Sequence, residues 1–229
     1  YHRIFLKILS STSNPRIKEI RRLKDKKEQR KTDLFYMEGL RIIGEAFEKG
    51  VQIETLIVCS EELKNEYGRK LLKTGKEHGV EILEVSPPVF DSISMKDNPQ
   101  GMAAIGHKIF YGLSDLRVDK GILVALTEIA DPGNLGTIIR TADAVAANGI
   151  ILIGDSVNPY DIGTVRGSMG ALFSQKIIRT DENEFLIWKN QYRVQMVGTS
   201  DHVQQDYMEI EYQNPIILLI RSERQGLTD

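Results

Sequence analysis

The sequence predicts an α/β protein of two domains, and three observations carry that prediction. Short apolar runs rich in Val, Ile and Leu alternate with segments of helical period through most of the 229 residues. From Ile122 to Ile153 the order is apolar run, Asp131-Pro132-Gly133-Asn134 turn, helical pattern over Leu135 to Ala147, and a second apolar run after Asn148-Gly149. That order is a βαβ unit, which implies a parallel sheet. A polar, irregular stretch at 109–120 separates this region from a smaller alternating region before it and reads as an interdomain linker.

Taken in order, Ser10 to Asn14 is a turn or cap cluster, and Pro15 suits the first turn of a helix. Ile17, Ile20 and Leu23 lie three apart, so 15–31 reads as a basic helix with a narrow apolar stripe, and 1–31 as an N-terminal extension. The first domain, 32–108, starts with a strand at Phe35 to Glu38. A helix follows over Leu40 to Lys49, stopped by Gly50. Then come a strand (Ile53 to Val58), a helix (Glu61 to His78), a strand (Val80 to Val85), a short helix (Val89 to Ser94) and a strand (Met102 to His107). In the second domain, 121–229, the βαβ unit is followed by a short helix over Thr164 to Phe173 and a strand at Lys176 to Arg179. A helix at Glu182 to Asn190 and strands at Arg193 to Gly198 and Pro215 to Ile220 complete it.

With 41% hydrophobic and 27% charged residues the chain is an ordinary globular protein. Its longest apolar run, near Ile216 to Ile220, is far short of the roughly 20 residues of a membrane span, so no membrane partner is expected. No signal peptide is visible after Tyr1. The single cysteine, Cys59, excludes an internal disulfide and fits a reducing, cytoplasmic compartment. A net charge of −2 hides a strong asymmetry: nine lysines and arginines lie between Arg16 and Lys31, against Glu19, Asp25 and Glu28. Local sign governs phosphate contacts, so Arg16, Lys18, Arg21 and Arg22 are candidates to meet RNA; the competing reading is a solvated surface helix.

Three loops leave predicted strand ends: Glu128 to Gly136, Gly198 to Asp201 and Arg221 to Leu227. In a parallel sheet such loops converge on the carboxyl rim, where ligands bind. They would bring Asn134, Arg140, Thr199, Ser200 and Glu223 together, although each alone is ordinary: Asp-Pro-Gly-Asn is a common turn, and Glu223 has Arg221 and Arg224 beside it. No G-x-G-x-x-G follows a strand, and neither a P-loop nor a G-x-S-x-G elbow is present. No His/Cys cluster has metal-ligand spacing, so no metal is expected.

The stretch Asp131-Pro132-Gly133-Asn134-Leu135-Gly136-Thr137-Ile138-Ile139-Arg140-Thr141-Ala142 resembles the first signature of the SpoU (TrmH-like) RNA 2′-O-ribose methyltransferases. Ser168-Met169-Gly170-Ala171 is similar to that family's short helix, and Leu218 to Leu227 to its second signature. Phe35-Tyr36-Met37-Glu38-Gly39 with Arg41 and Glu45-Ala46, then Asn98-Pro99-Gln100-Gly101, resembles an L30e-like substrate-binding domain. Ser13-Asn14-Pro15 with the basic helix is similar to the branch acting on large-subunit ribosomal RNA.

The resemblance implies a SPOUT-type parallel sheet with trefoil-knot topology behind a small L30e-like domain. It implies S-adenosyl-L-methionine as methyl donor, a ribose 2′-hydroxyl of RNA as acceptor, and a homodimer with composite sites. Asn134, Arg140 and Glu223 match the family's polar active-site positions, Gly198, Thr199, Ile220, Arg221 and Gly226 fall on its cofactor loops, and Arg41 falls on the RNA-binding side. Two departures stand out. The family carries glycine where this chain has Arg221, and its third signature is absent from the sequence, which points to a truncated C terminus. Two rivals remain: an inactive RNA-binding relative whose pocket Arg221 fills, and the same reaction on transfer RNA. A different nucleotide-binding enzyme is disfavoured by the missing phosphate fingerprints.

Overall fold

The computed structural model describes residues 8–95, 99–199 and 206–221. The chain divides into two compact units: one runs to Ile109 and takes in Tyr160–Gly170, and the other comprises Phe110–Pro159 and the residues from Ala171 onward.

The first unit opens with two short helices, α1 (Pro15–Arg22) and α2 (Lys26–Gln29), where the sequence pattern suggests one. The break is made by Asp25, whose carboxylate accepts from the backbone N–H of Lys27 (2.8 Å) and Glu28 (3.1 Å) and so restarts the helix. Then come β1 (Leu34–Glu38), α3 (Leu40–Glu48), β2 (Ile53–Val58), α4 (Glu66–Glu77), β3 (Glu81–Glu84), α5 (Pro87–Ile93) and β4 (Met102–His107). The onset of α4 falls five residues after the expected Glu61, because Asn65 caps it by accepting from Tyr67 N–H. The sheet order is β1-β4-β2-β3, with β4 antiparallel to both neighbours and β2 parallel to β3.

Ile17, Ile20 and Leu23 are buried in one cluster with Tyr36, Ile57, Val89, Phe90, Ile93 and Ile105. The apolar stripe of α1 therefore belongs to the core of this unit. Residues 15–31, expected as an extension, are part of its framework, and only the opposite face of α1 is left to meet a ligand.

The second unit contains β5 (Ile122–Thr127), α6 (Pro132–Ala144) and β6 (Gly149–Ile153). After β6 the chain passes through α7 (Ile162–Ser168), then β7 (Ile177–Thr180), α8 (Glu182–Lys189), β8 (Gln195–Gly198) and β9 (Ile216–Arg221). The order β7-β6-β5-β9-β8 is parallel at every described pairing. From β5 the chain moves outward one way to β7, crosses to β8 at the far edge, and returns to place β9 in the gap. Right-handed crossovers running in opposite directions put α6 and α8 on opposite faces. Phe185 and Trp188 of α8 share a core cluster with Leu123, Ala125, Ile151, Ile153 and Ile217. The alternating residues Val124, Leu126, Ile150 and Leu152 are also buried and point to the other face, as strand periodicity requires.

Two stretches depart from the sequence reading. Residues 109–120, expected as a linker, contribute Leu116 and Val118 to the core of the second unit, and Tyr111 bridges to Ile178. The expected helix over Thr164 to Phe173 is α7 followed by a 3₁₀ turn, Ala171–Phe173. They are separated by Met169 and Gly170, both at positive φ (55° and 101°). α7 also packs within the first unit although β6 and β7 flank it in sequence. The Tyr160 ring lies 4.8 Å from that of Phe35 and its hydroxyl donates to Ile109 C=O (2.9 Å), while Ile162 covers the cluster around Tyr36.

Candidate active site

Placing β9 between β5 and β8 gathers three sequence-distant loops on one rim. Thr127 at the end of β5 is the register partner of Arg221 at the end of β9, and Gly198 of β8 is the partner of Leu219. Thr199 continues the pattern, its N–H donating to Leu219 C=O at 3.0 Å. Ile220, opposite Leu126, is half-buried within the sheet. Gly198, Thr199, Ile220 and Arg221 thus share the carboxyl rim that the sequence reading expected. Ser200, Glu223 and Gly226 lie outside the described residues.

A cleft of about 280 Å³ opens on this rim. Ile153, Phe185, Leu186, Met196 and Leu219 form its apolar wall, and Thr127, Glu128, Glu182 and Arg221 its polar end. Arg221 Nη2 lies 3.2 Å from Glu128 Oε2, and its side chain is only 16% exposed against 48% for Glu128. Glu128 is held at φ 55°, a left-handed conformation that costs a non-glycine residue about 1 kcal/mol or more. Thr127 Oγ1 is buried with no hydrogen-bond partner among the described residues. Gly154, at φ 70°, leaves open space where a side chain would stand.

Asn134 and Arg140 sit elsewhere. Asp131 caps α6, its carboxylate accepting from Asn134 N–H at 2.7 Å, and Pro132 supplies the first helical position, so α6 starts three residues before the expected Leu135. Both side chains lie on the exposed side of the helix, separated by about 9 Å along the axis at 1.5 Å per residue. Among the described residues nothing pairs with the Arg140 guanidinium, and neither side chain lines the cleft, whose wall includes α8 on the other sheet face. Among the described residues, Asn134 and Arg140 stand apart from the cleft that Arg221 lines.

On the first unit, the expected RNA contacts divide. Arg16 Nη2 is held by Glu54 (3.1 Å), Glu81 (3.1 Å) and Thr55 Oγ1 (3.2 Å). Burial pulls its pKa down, but the hydrogen bonds and charge of Glu54 and Glu81 outweigh this and raise it. Arg21 donates to Thr12 C=O and to Ser92 Oγ (3.3 Å). Lys18, Arg22 and Arg41 are exposed and without partners among the described residues.

Sequence reasoning missed Glu128, Thr127 and Glu182, because a carboxylate or hydroxyl at a strand end carries no signal until its neighbour is known. It also missed a buried polar cluster around Glu38, which is 2% exposed and accepts from Ser94 Oγ (2.5 Å), Met95 N–H (2.8 Å) and Tyr36 OH (3.4 Å). Burial, with the charge and hydrogen bond of Glu38, pushes the Tyr36 hydroxyl well above its usual range. Among the described residues no group of His, Cys, Asp and Glu is arranged to hold a metal, and no helix is long and apolar enough to cross a membrane.

Comparison with known proteins agrees with this division. Residues 14–104 match a family described as an MRM3-like substrate binding domain, and residues 121–229 match the SpoU rRNA Methylase family. The chain is 30% identical over 203 residues to a 23S rRNA (uridine(2479)-2′-O)-methyltransferase of Streptomyces viridochromogenes, covering 85% of this chain and 70% of that protein. It is 25% identical to the 23S rRNA (guanosine(2553)-2′-O)-methyltransferase RlmP of Bacillus subtilis, over 97% of this chain and 85% of that protein. Among solved structures, an AdoMet-bound rRNA methyltransferase from Sinorhizobium meliloti superposes with a TM-score of 0.87 at 36% identity, over 97% of this chain and 83% of that one.

Proposed function

Because the chain belongs to the SpoU rRNA methylase family, we propose that it transfers the methyl group of S-adenosylmethionine to a ribose 2′-hydroxyl of RNA, with large-subunit ribosomal RNA as its substrate. The observation that carries this reading is the insertion of β9 between β5 and β8, which sets a cleft at the carboxyl rim, lined by the ends of β5, β6 and β9 and by α8. The residues there suit such a donor: an apolar wall for a nucleoside, open space over Gly154, and a buried Thr127 hydroxyl without a partner among the described residues.

When bound, the donor supplies an electrophilic methyl carbon whose bond to sulfur breaks as the bond to the ribose oxygen forms. The protein then has to align that oxygen and stabilise the negative charge it develops as its proton leaves. A guanidinium with a pKa above about 12 is a poor base. Arg140 is therefore assigned to holding the hydroxyl and the adjacent phosphate and to stabilising the oxyanion, with Asn134 as a second polar contact. Glu223 belongs to the same proposal through its match to the family signature.

The homodimer is also part of the proposal. Within one chain, Asn134 and Arg140 stand on the exposed face of α6 while the cleft is built on the α8 side, so a second copy would have to complete the site. The trefoil knot and a cytoplasmic location are carried with the family. The rival reading, an RNA-binding relative without activity, has one observation in its favour: Arg221 occupies the polar end of the cleft.

Mapping 2′-O-methylation across all cellular RNA, with and without the gene, tests the proposal. Loss of methylation at one ribosomal position is expected. A change confined to transfer RNA would move the substrate assignment, and no change at any position would remove it.

A further inference from the structure

The polar end of the rim cleft presents a guanidinium and a carboxylate side by side. Arg221 and Glu128 meet at 3.2 Å where β9 and β5 end in register, and both line the cavity. The pairing is local and built: Arg221 is mostly buried, and Glu128 reaches it from a left-handed backbone position that a glycine would occupy more easily. The sheet is already closed there by β5–β9 pairing, so the ion pair is not needed to join the two strands. A second carboxylate, Glu182, lines the same cavity from α8, and the buried Thr127 hydroxyl of its lining has no partner among the described residues.

Opposite charges held at one end of an apolar cleft are complementary to a zwitterion with an apolar body. We propose that Arg221 and Glu128 recognise the α-amino-acid end of the methyl donor, Arg221 pairing with its carboxylate and Glu128 with its ammonium group. The inference rests on the methyl-donor reading given above and deepens it. It gives Arg221, the position at which this chain departs from its family's glycine, a recognition role instead of an obstructing one. A bidentate guanidinium–carboxylate contact suits Arg and would be lost in Met, whose side chain fills similar space without charge.

The test is calorimetric binding of two nucleosides to the full chain, S-adenosylhomocysteine and 5′-methylthioadenosine, the second lacking the amino-acid end. Wild type is expected to prefer S-adenosylhomocysteine by about 10- to 100-fold, the range for hydrogen bonds to charged groups. In Arg221→Met the preference is expected to collapse to a few-fold, with methylthioadenosine binding unchanged. Glu128→Gln, at a half-exposed position and so independent of any folding defect at Arg221, is expected to narrow the preference as well. Equal preference in wild type and both variants overturns the inference while leaving the methyl-donor reading in place. Tighter binding of both nucleosides to Arg221→Gly overturns it in favour of an obstructed pocket. Failure of wild type to bind either nucleoside removes the methyl-donor reading itself.

Discussion

The guanidinium of Arg16 lies 3.1 Å from the carboxylate of Glu81, a residue 65 positions later in the chain, and the same Nη2 reaches Glu54. A cation that composition alone offers to RNA is thereby tied to the edge of its own sheet, between β2 and β3. Arg16→Ala is expected to lower stability by roughly 1 kcal/mol, the upper end for partly exposed pairs, or a few degrees in Tm, with little change in RNA affinity. Lys18→Ala and Arg22→Ala should do the reverse. Each should weaken RNA binding and reduce the slope of log affinity against log salt by about 0.7 to 0.9 per lost phosphate contact. Thermal melts and binding titrations at several salt concentrations separate the two outcomes, and equal loss of RNA affinity at all three positions would count against the division.

The Arg140 side chain makes no hydrogen bond or ion pair among the described residues and is exposed, so its removal should leave folding untouched. Arg140→Ala is expected to lower single-turnover methyl transfer by about 100-fold or more, the range for loss of one oxyanion-stabilising group, with an unchanged melting temperature. Loss of RNA binding with unaltered single-turnover chemistry would show that Arg140 only captures substrate.

Glu38 is a buried carboxylate with three donors around it, and Glu38→Ala removes the acceptor that Ser94 Oγ, Met95 N–H and the buried Tyr36 hydroxyl share. A loss of roughly 2–4 kcal/mol in denaturant unfolding is expected, since donors left unsatisfied in a core cost more than the bond they made. An effect below about 1 kcal/mol, the usual scale of a surface change, would mean that water replaces the carboxylate.

The Tyr36 hydroxyl titrates above its unfolded value of about 10, first because it is buried and then because Glu38 is beside it. Between the unfolded and folded values the native state holds the extra proton, so stability is full below pH 10 and falls as pH rises above it. Lys24, whose pKa is lowered by burial, acts in the opposite sense just below its usual 10.5. Unfolding curves from pH 9 to 11 should show the fall in wild type and a flatter profile in Tyr36→Phe. A profile identical in the two proteins would exclude Tyr36 as its source.

Gly101 is the end of the Asn98-Pro99-Gln100-Gly101 motif and sits at φ 71°, where a Cβ would stand 2.6 Å from Leu63 N and 2.8 Å from Cys59 C=O. Those are backbone atoms that cannot turn aside. Gly101→Ala is expected to cost about 1–3 kcal/mol by denaturation, the range for left-handed strain, with the clash pushing toward the upper value.

The sequence by itself determined the elements and their chemistry. Period-two and helical patterns located the strands and most helices, and boundary errors fell where a side-chain cap intervened, as Asp25, Asn65 and Asp131 do. The first signature, from Asp131 to Ala142, was legible because its spacing is local. Pairing across the sheet was decided only by tertiary structure. That β9 enters between β5 and β8, that Arg221 meets Glu128, that α7 packs with the first unit, and that Leu116 and Val118 are core residues all depend on contacts between distant segments. Periodicity reports which face of an element is apolar, but not which partner buries it. The same limit explains the divided fate of the basic helix: charge density marked Arg16 and Lys18 alike, and only the position of Glu54 and Glu81 distinguished the anchored cation from the free one.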